Sequence, residues 1–389
     1  MPKPPENHNL LMESEPGPEG GTLAKPANPS TNKPRNRAST PEYFHPSLLE
    51  INSSEGQDTQ TLPMTTETVE PGEIKDLEGV GPVTAAKLHE AGYDSVESLA
   101  IAPIKELVEK AGLETSTAHK ISRAARQTIQ TDYITAKQLW EKRQTLEKLS
   151  FGSNNLNKLL GGGLETQAIT EFVGEFGAGK SQICMRLSVN TQLPPKEGGL
   201  EGKVLFIDTE GTFAPQRVYQ MAQALQLDPE KILDGIIYSR VYNSDHQILT
   251  VDHAFKICQE EKVKLLVVDS ILSHFRGEYI GRESLAERQQ RLNSHLHKLL
   301  RIAQALNLAV VITNQVQANP QAFFGDPMRP AGGNILAHAS THRVMLKKAS
   351  GGLRIAKIID SPSLPESESY FQITEKGVED AAPKARRDD

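Results

Sequence analysis

The sequence is short of the residues that cross-link proteins or anchor them in membranes. It has 2 cysteines and 1 tryptophan in 389 residues, and aromatics make up 5 %. Cys184 and Cys258 stand far apart, each inside a helical pattern, so buried reduced thiols are expected rather than a disulfide or a metal site. That usage points to a reducing cytoplasm. No run of about 18 apolar residues occurs, so no membrane span is expected. A basic stretch leading into an apolar core is missing at the N-terminus, and with it a secretory leader. Excess positive charge is missing too: 43 Lys and Arg face 49 Asp and Glu, a net of −6. If nucleic acid is a partner, local basic loops must bring it in, because the global field does not.

What is present is unevenly spread, and the length exceeds one compact domain. Residues 1–72 are rich in Pro, Ser, Thr, Asn and Glu without sustained apolar periodicity. Such a segment cannot bury enough surface to offset its conformational entropy, so a disordered extension is expected. Its apolar stretch Tyr43–Ile51 is a candidate docking element for a partner. Residues 73–127 read as short helices punctuated by Gly92, Pro103 and Gly112, a small all-α domain. Residues 128–149 form a linker with helical potential that carries Trp140. From 150 to 389 the apolar runs AITEFV, KVLFIDTE, KLLVVDS and AVVITNQV alternate with amphipathic helices. Continuous apolar runs predict strands buried on both faces, hence an α/β fold with a mostly parallel sheet. RVMLKK, LRIAKIID and YFQIT, joined through Ser350-Gly351-Gly352, predict an antiparallel hairpin extension at its C-terminal side.

Gly174–Ser181 (GEFGAGKS) has the spacing G-x-x-x-x-G-K-[ST]. A predicted strand, Ile169–Val173, leads in and a predicted helix, Gln182–Leu193, leads out, the context a phosphate-binding loop needs. Gly174, Gly177 and Gly179, with Glu175, Phe176 and Ala178 between them and Gln182 after, would wrap backbone amides around a nucleotide's phosphates. Lys180 would reach the β- and γ-phosphates, and the Ser181 hydroxyl would ligate Mg2+. Asp269, ending the run LLVVD, is the candidate second partner of the magnesium ion. Glu210, ending KVLFIDTE, is placed to orient and deprotonate an attacking water. Alone, either carboxylate would read as a common strand-end or turn residue. With the cradle they indicate an ATPase using ATP and Mg2+.

These residues lie inside longer motifs: GGGLETQAITEFVGEFGAGKSQ, LFIDTEGTF, SHFRGEYIGRESLAERQQ, TNQVQANPQAFFGDP and GGNILAHAS. From about Leu77 onward the chain resembles a RadA-type recombinase, the archaeal relative of RecA and of the eukaryotic strand-exchange proteins. The resemblance implies a RecA-like core behind a helix-hairpin-helix domain. It implies Glu210 as catalytic base and Gln315 as the γ-phosphate sensor that relays into the following DNA-binding loop. His338 would be a second sensor, and Arg217 matches an arginine that stacks on adenine. Asp360-Ser361-Pro362 resembles the cap that a neighbouring subunit lays over the nucleotide. One departure stands out: the family's TFRPER is TFAPQR here, with Ala214 and Gln216, which puts subunit contacts or nucleotide affinity in question.

Three segments are candidates for DNA. Gly79 and Gly81 of LEGVG permit a tight turn whose amides meet a phosphate at a helix N-terminus, with Lys87 adding charge; a turn between two structural helices fits the same spacing. Arg276, Arg282 and Arg288 follow the Asp269 strand, interleaved with Glu278, Glu283 and Glu287, so a solvated helix face is the alternative to the family's first DNA-binding loop. Gln317–Ala331, with Phe323 and Phe324, is a long loop expected to stay mobile until it engages single-stranded DNA. Subunit joining has its own candidate: Tyr133-Ile134-Thr135-Ala136, which by itself also fits intramolecular packing of a linker, resembles the F-x-x-A polymerisation motif with Tyr133 in place of the usual Phe. The implied receiving pocket lies around Ile236–Val241, including Tyr238 and Ser239, on the next subunit. Such a head-to-tail contact builds rings or helical filaments. The resemblance therefore implies an ATP-dependent recombinase that coats single-stranded DNA, pairs it with double-stranded DNA and associates with the nucleoid. A recombination mediator sharing the core and a RecA-fold hexameric helicase are the alternatives, and mediators are also candidate partners.

Overall fold

The computed structural model of the protein describes residues 73–128, 133–318 and 328–381. The expected disordered extension, including Tyr43–Ile51, and the loop residues Phe323 and Phe324 lie outside these residues. The helices and the sheet described below belong to one compact unit.

Four short helices open the described chain: α1 (Pro82–Glu90), α2 (Val96–Ile101), α3 (Ile104–Ala111) and α4 (Thr115–Thr128). Gly79, Gly92 and Gly112 take positive φ at the turns between them, where a side chain would be strained. Gly81 is different: as the N-cap of α1 it has φ −87°, a backbone any residue adopts. Leu88, Leu99, Leu107 and Ile121 are fully buried in this small core, each contributing roughly 1.5–3 kcal/mol of apolar transfer. Helix α5 (Ala136–Gln144) follows and buries nothing. Its N-terminus carries a capping box, in which Thr135 accepts from Gln138 N at 3.2 Å and Gln138 accepts from Thr135 N at 2.8 Å.

The core then runs β1 (Lys148–Leu149), α6 (Asn154–Leu159), β2 (Leu164–Glu165), β3 (Ile169–Gly174) and α7 (Lys180–Asn190). Next come β4 (Lys203–Asp208), α8 (Pro215–Ala224), α9 (Pro229–Asp234), β5 (Ile236–Arg240) and α10 (Ser244–Glu260). After them lie β6 (Val263–Asp269), α11 (Ser273–Glu278), α12 (Leu285–Ala305), β7 (Ala309–Asn314) and the paired β8 (Val316–Ala318) and β9 (Met328–Pro330). The chain ends with α13 (Gly333–Ala339), β10 (His342–Lys348), β11 (Leu353–Asp360), β12 (Glu368–Thr374) and β13 (Gly377–Asp380).

Nine strands form one sheet in the order β13-β12-β11-β10-β3-β7-β6-β4-β5. The six from β10 to β5 are parallel neighbours, and β11, β12 and β13 are added antiparallel. The expected hairpin extension is present, and β10 is its junction with the parallel sheet: it pairs antiparallel with β11 across Ser350-Gly351-Gly352 and parallel with β3. Alternation along each strand feeds two cores. Phe206, Val267 and Val311 pack with Ile183 and Leu187 of α7 on one face. Leu205, Val268 and Ile312 pack with Phe255 of α10 and Leu296 of α12 on the other. Burial on both faces is why these strands read as unbroken apolar runs. It also puts the C-terminal ends of β3, β4, β6 and β7 side by side, where open α/β sheets bind ligands.

Candidate nucleotide site

The phosphate loop spans the turn from β3 to α7. Gly177 and Gly179 have φ +76° and +111°, and a Cβ at Gly174 would stand 2.4 Å from the Leu346 carbonyl oxygen. The backbone path therefore requires glycine at all three. The first-turn amides of α7 lack helical acceptors, and they open onto a cleft of about 850 Å3, within the range of small-molecule sites. Gly174, Glu175, Phe176, Gly177, Gly179, Lys180, Ser181 and Gln182 line it; Ala178 is buried beneath the loop.

Lys180 donates to the carbonyls of Gly174 at 2.9 Å and Glu175 at 3.0 Å, so its ammonium is folded onto the loop. Burial lowers its pKa, while the carboxylates of Asp269 and Glu210 pull the other way. Asp269 ends β6 at the floor of the cleft. Burial raises its pKa, and hydroxyls of Ser181 and Thr313 oppose the rise. Its Oδ2 is buried without a partner, a costly state for a carboxylate oxygen. A divalent cation beside Ser181 would satisfy that oxygen, so the donor set fits one. Glu210, at the turn after β4, accepts at one oxygen from Gln315 Nε2 at 3.1 Å and Ser270 Oγ at 3.0 Å. Asp269, Ser181, Lys180, Glu210 and Gln315 are thereby brought into one cleft.

Other expected members stay outside it. Arg217 reaches the adjoining region but is engaged: its guanidinium donates to Gln182 at 2.9 Å and to the carbonyls of Glu375, at 3.1 Å, and Thr374. His338, Asp360 and Pro362 are exposed and do not line the cleft. Ala214 caps α8 and packs against a side cluster with Val218, while Gln216 is exposed; nothing in the structure explains the departure at these two positions. Conversely, Thr212, Ser270, Arg354, Ile373, Val316 and Met328 line the cleft without having been singled out. No spacing could have revealed Arg354 and Ile373, because they arrive on antiparallel strands added across the sheet. Val316 and Met328 open and close the segment around the proposed DNA loop, so that loop's stem forms part of the nucleotide wall.

Among the DNA candidates, Arg276 and Arg282 are exposed and Arg288 is half-buried. Glu278 is not a free acid on this face, since it accepts from Ser244 N at 2.7 Å and from the Ser244 hydroxyl. Gln317 is exposed on β8, opposite Arg329. Lys87 donates to the Gly112 carbonyl at 3.5 Å, and Gly79 lies against Lys120 and Ile121 of α4. Tyr133 is fully exposed and Ala136 exposed; Tyr238 is 46 % exposed and Ser239 half-buried on the sheet's edge strand β5. Both cysteines are free and buried, with burial raising Cys258 to about 12. Among the described residues no helix is long and apolar enough to cross a membrane.

Known proteins resemble the chain over most of its length. The Rad51 family profile matches residues 142–381, and a SAM-like helix-hairpin-helix tandem profile matches 72–127. The "DNA repair and recombination protein RadA" of Ignicoccus hospitalis is 52 % identical over 322 residues, covering 82 % of this chain and 98 % of that protein. The protein of the same name from Aeropyrum pernix is 52 % identical over 308 residues, 79 % of this chain and 97 % of its own. With a phosphate loop, a strand-end carboxylate and a sheet of this order already in place, the chain belongs to the Rad51 family of RecA-like proteins, beside the RadA recombinases.

Proposed function

We propose that the protein is a DNA-dependent ATPase and homologous recombinase that assembles on single-stranded DNA, pairs it with a homologous duplex and exchanges strands. ATP is the nucleotide: the loop amides, Lys180 and Gln182 hold its phosphates. Ser181 and Asp269 hold Mg2+, which neutralises phosphate charge. Glu210 orients and deprotonates the attacking water. Arg217 on the adenine, His338 as a second sensor, and Asp360 and Pro362 as a cap on a neighbouring copy's nucleotide complete the set. Arg276, Arg282, Arg288, Gln317, Phe323 and Phe324 meet single-stranded DNA, with the Gly79–Gly81 turn and Lys87 on duplex phosphates. Tyr133 and Ala136 join Tyr238 and Ser239 of the next copy.

One observation carries this reading: the Gln315 amide that donates to Glu210 belongs to the residue immediately before β8. The hydrolytic carboxylate is thereby tied to the loop proposed to meet DNA, and each can sense the other. Energetics favour a clamp over a motor. Opening duplex costs about 1.4 kcal/mol per base-pair step, whereas exchanging one duplex for another of the same sequence is near balance. The nucleotide need only favour one arrangement of the assembly, to the extent of its differential affinity.

Strand exchange between fluorescently paired homologous oligonucleotides, run with ATP and with a non-hydrolysable analogue, tests this. Exchange with both is the expected outcome. DNA binding without exchange under either nucleotide would replace the recombinase with a mediator.

A further inference from the structure

Asp208, at the end of β4, is fully buried, and its carboxylate is crowded with donors. Oδ1 accepts the backbone N–H of Glu210 at 3.0 Å, Gly211 at 2.7 Å and Thr212 at 3.3 Å. Oδ2 accepts the N–H of Phe213 and the hydroxyl of Tyr238, each at 3.1 Å. Arg240 donates to the Asp208 carbonyl at 2.9 Å and stands 3.8 Å from Oδ1. One buried carboxylate therefore gathers four consecutive amides of the turn that carries Glu210. Both oxygens are held by donors from this turn, so the carboxylate's orientation fixes the turn.

Two of its partners come from β5. That strand is the edge of the sheet, and Tyr238 is 46 % exposed there, its ring stacked on Phe213 with centroids 5.3 Å apart. A surface tyrosine thus reaches the anchor of the Glu210 turn through its hydroxyl.

We propose that Asp208 is a positioning residue for ATP hydrolysis, and that the Tyr238 hydroxyl orients its carboxylate from the sheet edge and so sets the aim of Glu210. The proposal rests on the reading of Glu210 as the group that acts on the attacking water. A reacting group displaced by a fraction of its reach loses much of its rate. The loss should fall on turnover, because neither Asp208 nor Tyr238 lines the cleft that receives the nucleotide.

Steady-state ATPase measurements on single-stranded DNA, using the full chain as wild type, Tyr238→Phe, Asp208→Asn and the double variant, decide it. Tyr238→Phe keeps the ring on Phe213 and deletes only the hydroxyl. Its kcat is expected to fall roughly five-fold with KM for ATP moved less than about two-fold, at protein concentrations where sedimentation shows equal assembly. Asp208→Asn turns an amide donor towards N–H groups and should cost roughly a hundred-fold in kcat. The double variant should be no slower than Asp208→Asn, since the hydroxyl acts only through the carboxylate. Unchanged kcat in Tyr238→Phe, effects that multiply, or a fall that follows lost assembly would each overturn the proposal. If Asp208→Asn does not fold, Tyr238→Phe decides alone. A wild-type chain without ATPase activity would defeat the reading of Glu210 instead, which keeps the two failures apart.

Discussion

Glu210 stands on the exposed side of the cleft, yet its carboxylate is held by Gln315 and Ser270. Replacing it with Gln preserves shape and leaves an oxygen to accept from Gln315 and Ser270, but removes the proposed base. Glu210→Gln is expected to lower kcat by about 10²- to 10⁴-fold. Binding of a fluorescent ATP analogue should persist, because Lys180 and the loop amides remain. Turnover within ten-fold of wild type would remove Glu210 from the base role. Lys180 and Ser181 were readable from motif spacing, and Glu210 from its place at the end of an apolar run once the phosphate loop stood beside it. Ser270 was not: nothing in the sequence around it marks a residue that will donate to a carboxylate from another strand.

The polar segment from Phe275 to Arg291 looked in sequence like evenly interleaved acids and bases. Folding sorts them. Glu278 is consumed by Ser244, and Arg291 by Asp245 and Tyr279. No ion pair engages Arg276, Arg282 or Arg288 among the described residues. Arg282→Ala should weaken single-stranded DNA binding and flatten the slope of log K against log salt by about 0.7, the share of one phosphate contact. A titration at several salt concentrations reads that slope, and an unchanged value would take Arg282 out of the interface. At this scale the long apolar strands were readable because both faces are buried. β13 and the pair β8 and β9 were not, because they are short and carry no apolar run, so only pairing with distant strands makes them strands.

The small helical bundle is held to the core by charge as well as apolar contact. Asp252 of α10 pairs with Lys110 of α3 and Lys298 of α12, Arg301 reaches Glu106 at 3.3 Å, and Lys256 reaches Asp94 at 3.0 Å. Burial would raise Asp252, but the charge of Lys298 and hydrogen bonds from Lys110 and Lys298 outweigh it and hold the carboxyl below its usual range. Lys298 is pushed down by its own burial, which the Asp252 carboxylate beside it opposes. Deeper in the core, burial pushes His295 from 6.5 down to about 4. A depressed folded-state value means that the stabilising effect is full above the unfolded value and is lost as pH falls towards the folded one. His295 therefore drains stability between about pH 6.5 and 4, by at most about 1.4 kcal/mol per pH unit. The Asp252 contribution is lost only at lower pH, below the ordinary 3.8. The thermal midpoint should drop from pH 7 to pH 5, and less steeply in His295→Gln; equal slopes would exclude His295 as the source.

Local order along the chain carries much of the chemistry: a glycine loop between strand and helix, carboxylates ending buried strands, helices closed by glycine, and strands apolar on both faces. These are legible because backbone strain, capping and burial are written within a few residues of where they act. What meets across the sheet follows from strand pairing instead. Arg354 and Ile373 reach the cleft by antiparallel pairing, and Asp269 keeps an unpartnered oxygen beside Ser181. Tyr238 at the edge reaches the anchor of the Glu210 turn. Those contacts join residues tens to hundreds of positions apart, and strand order and register, which no local pattern records, bring them within hydrogen-bond distance.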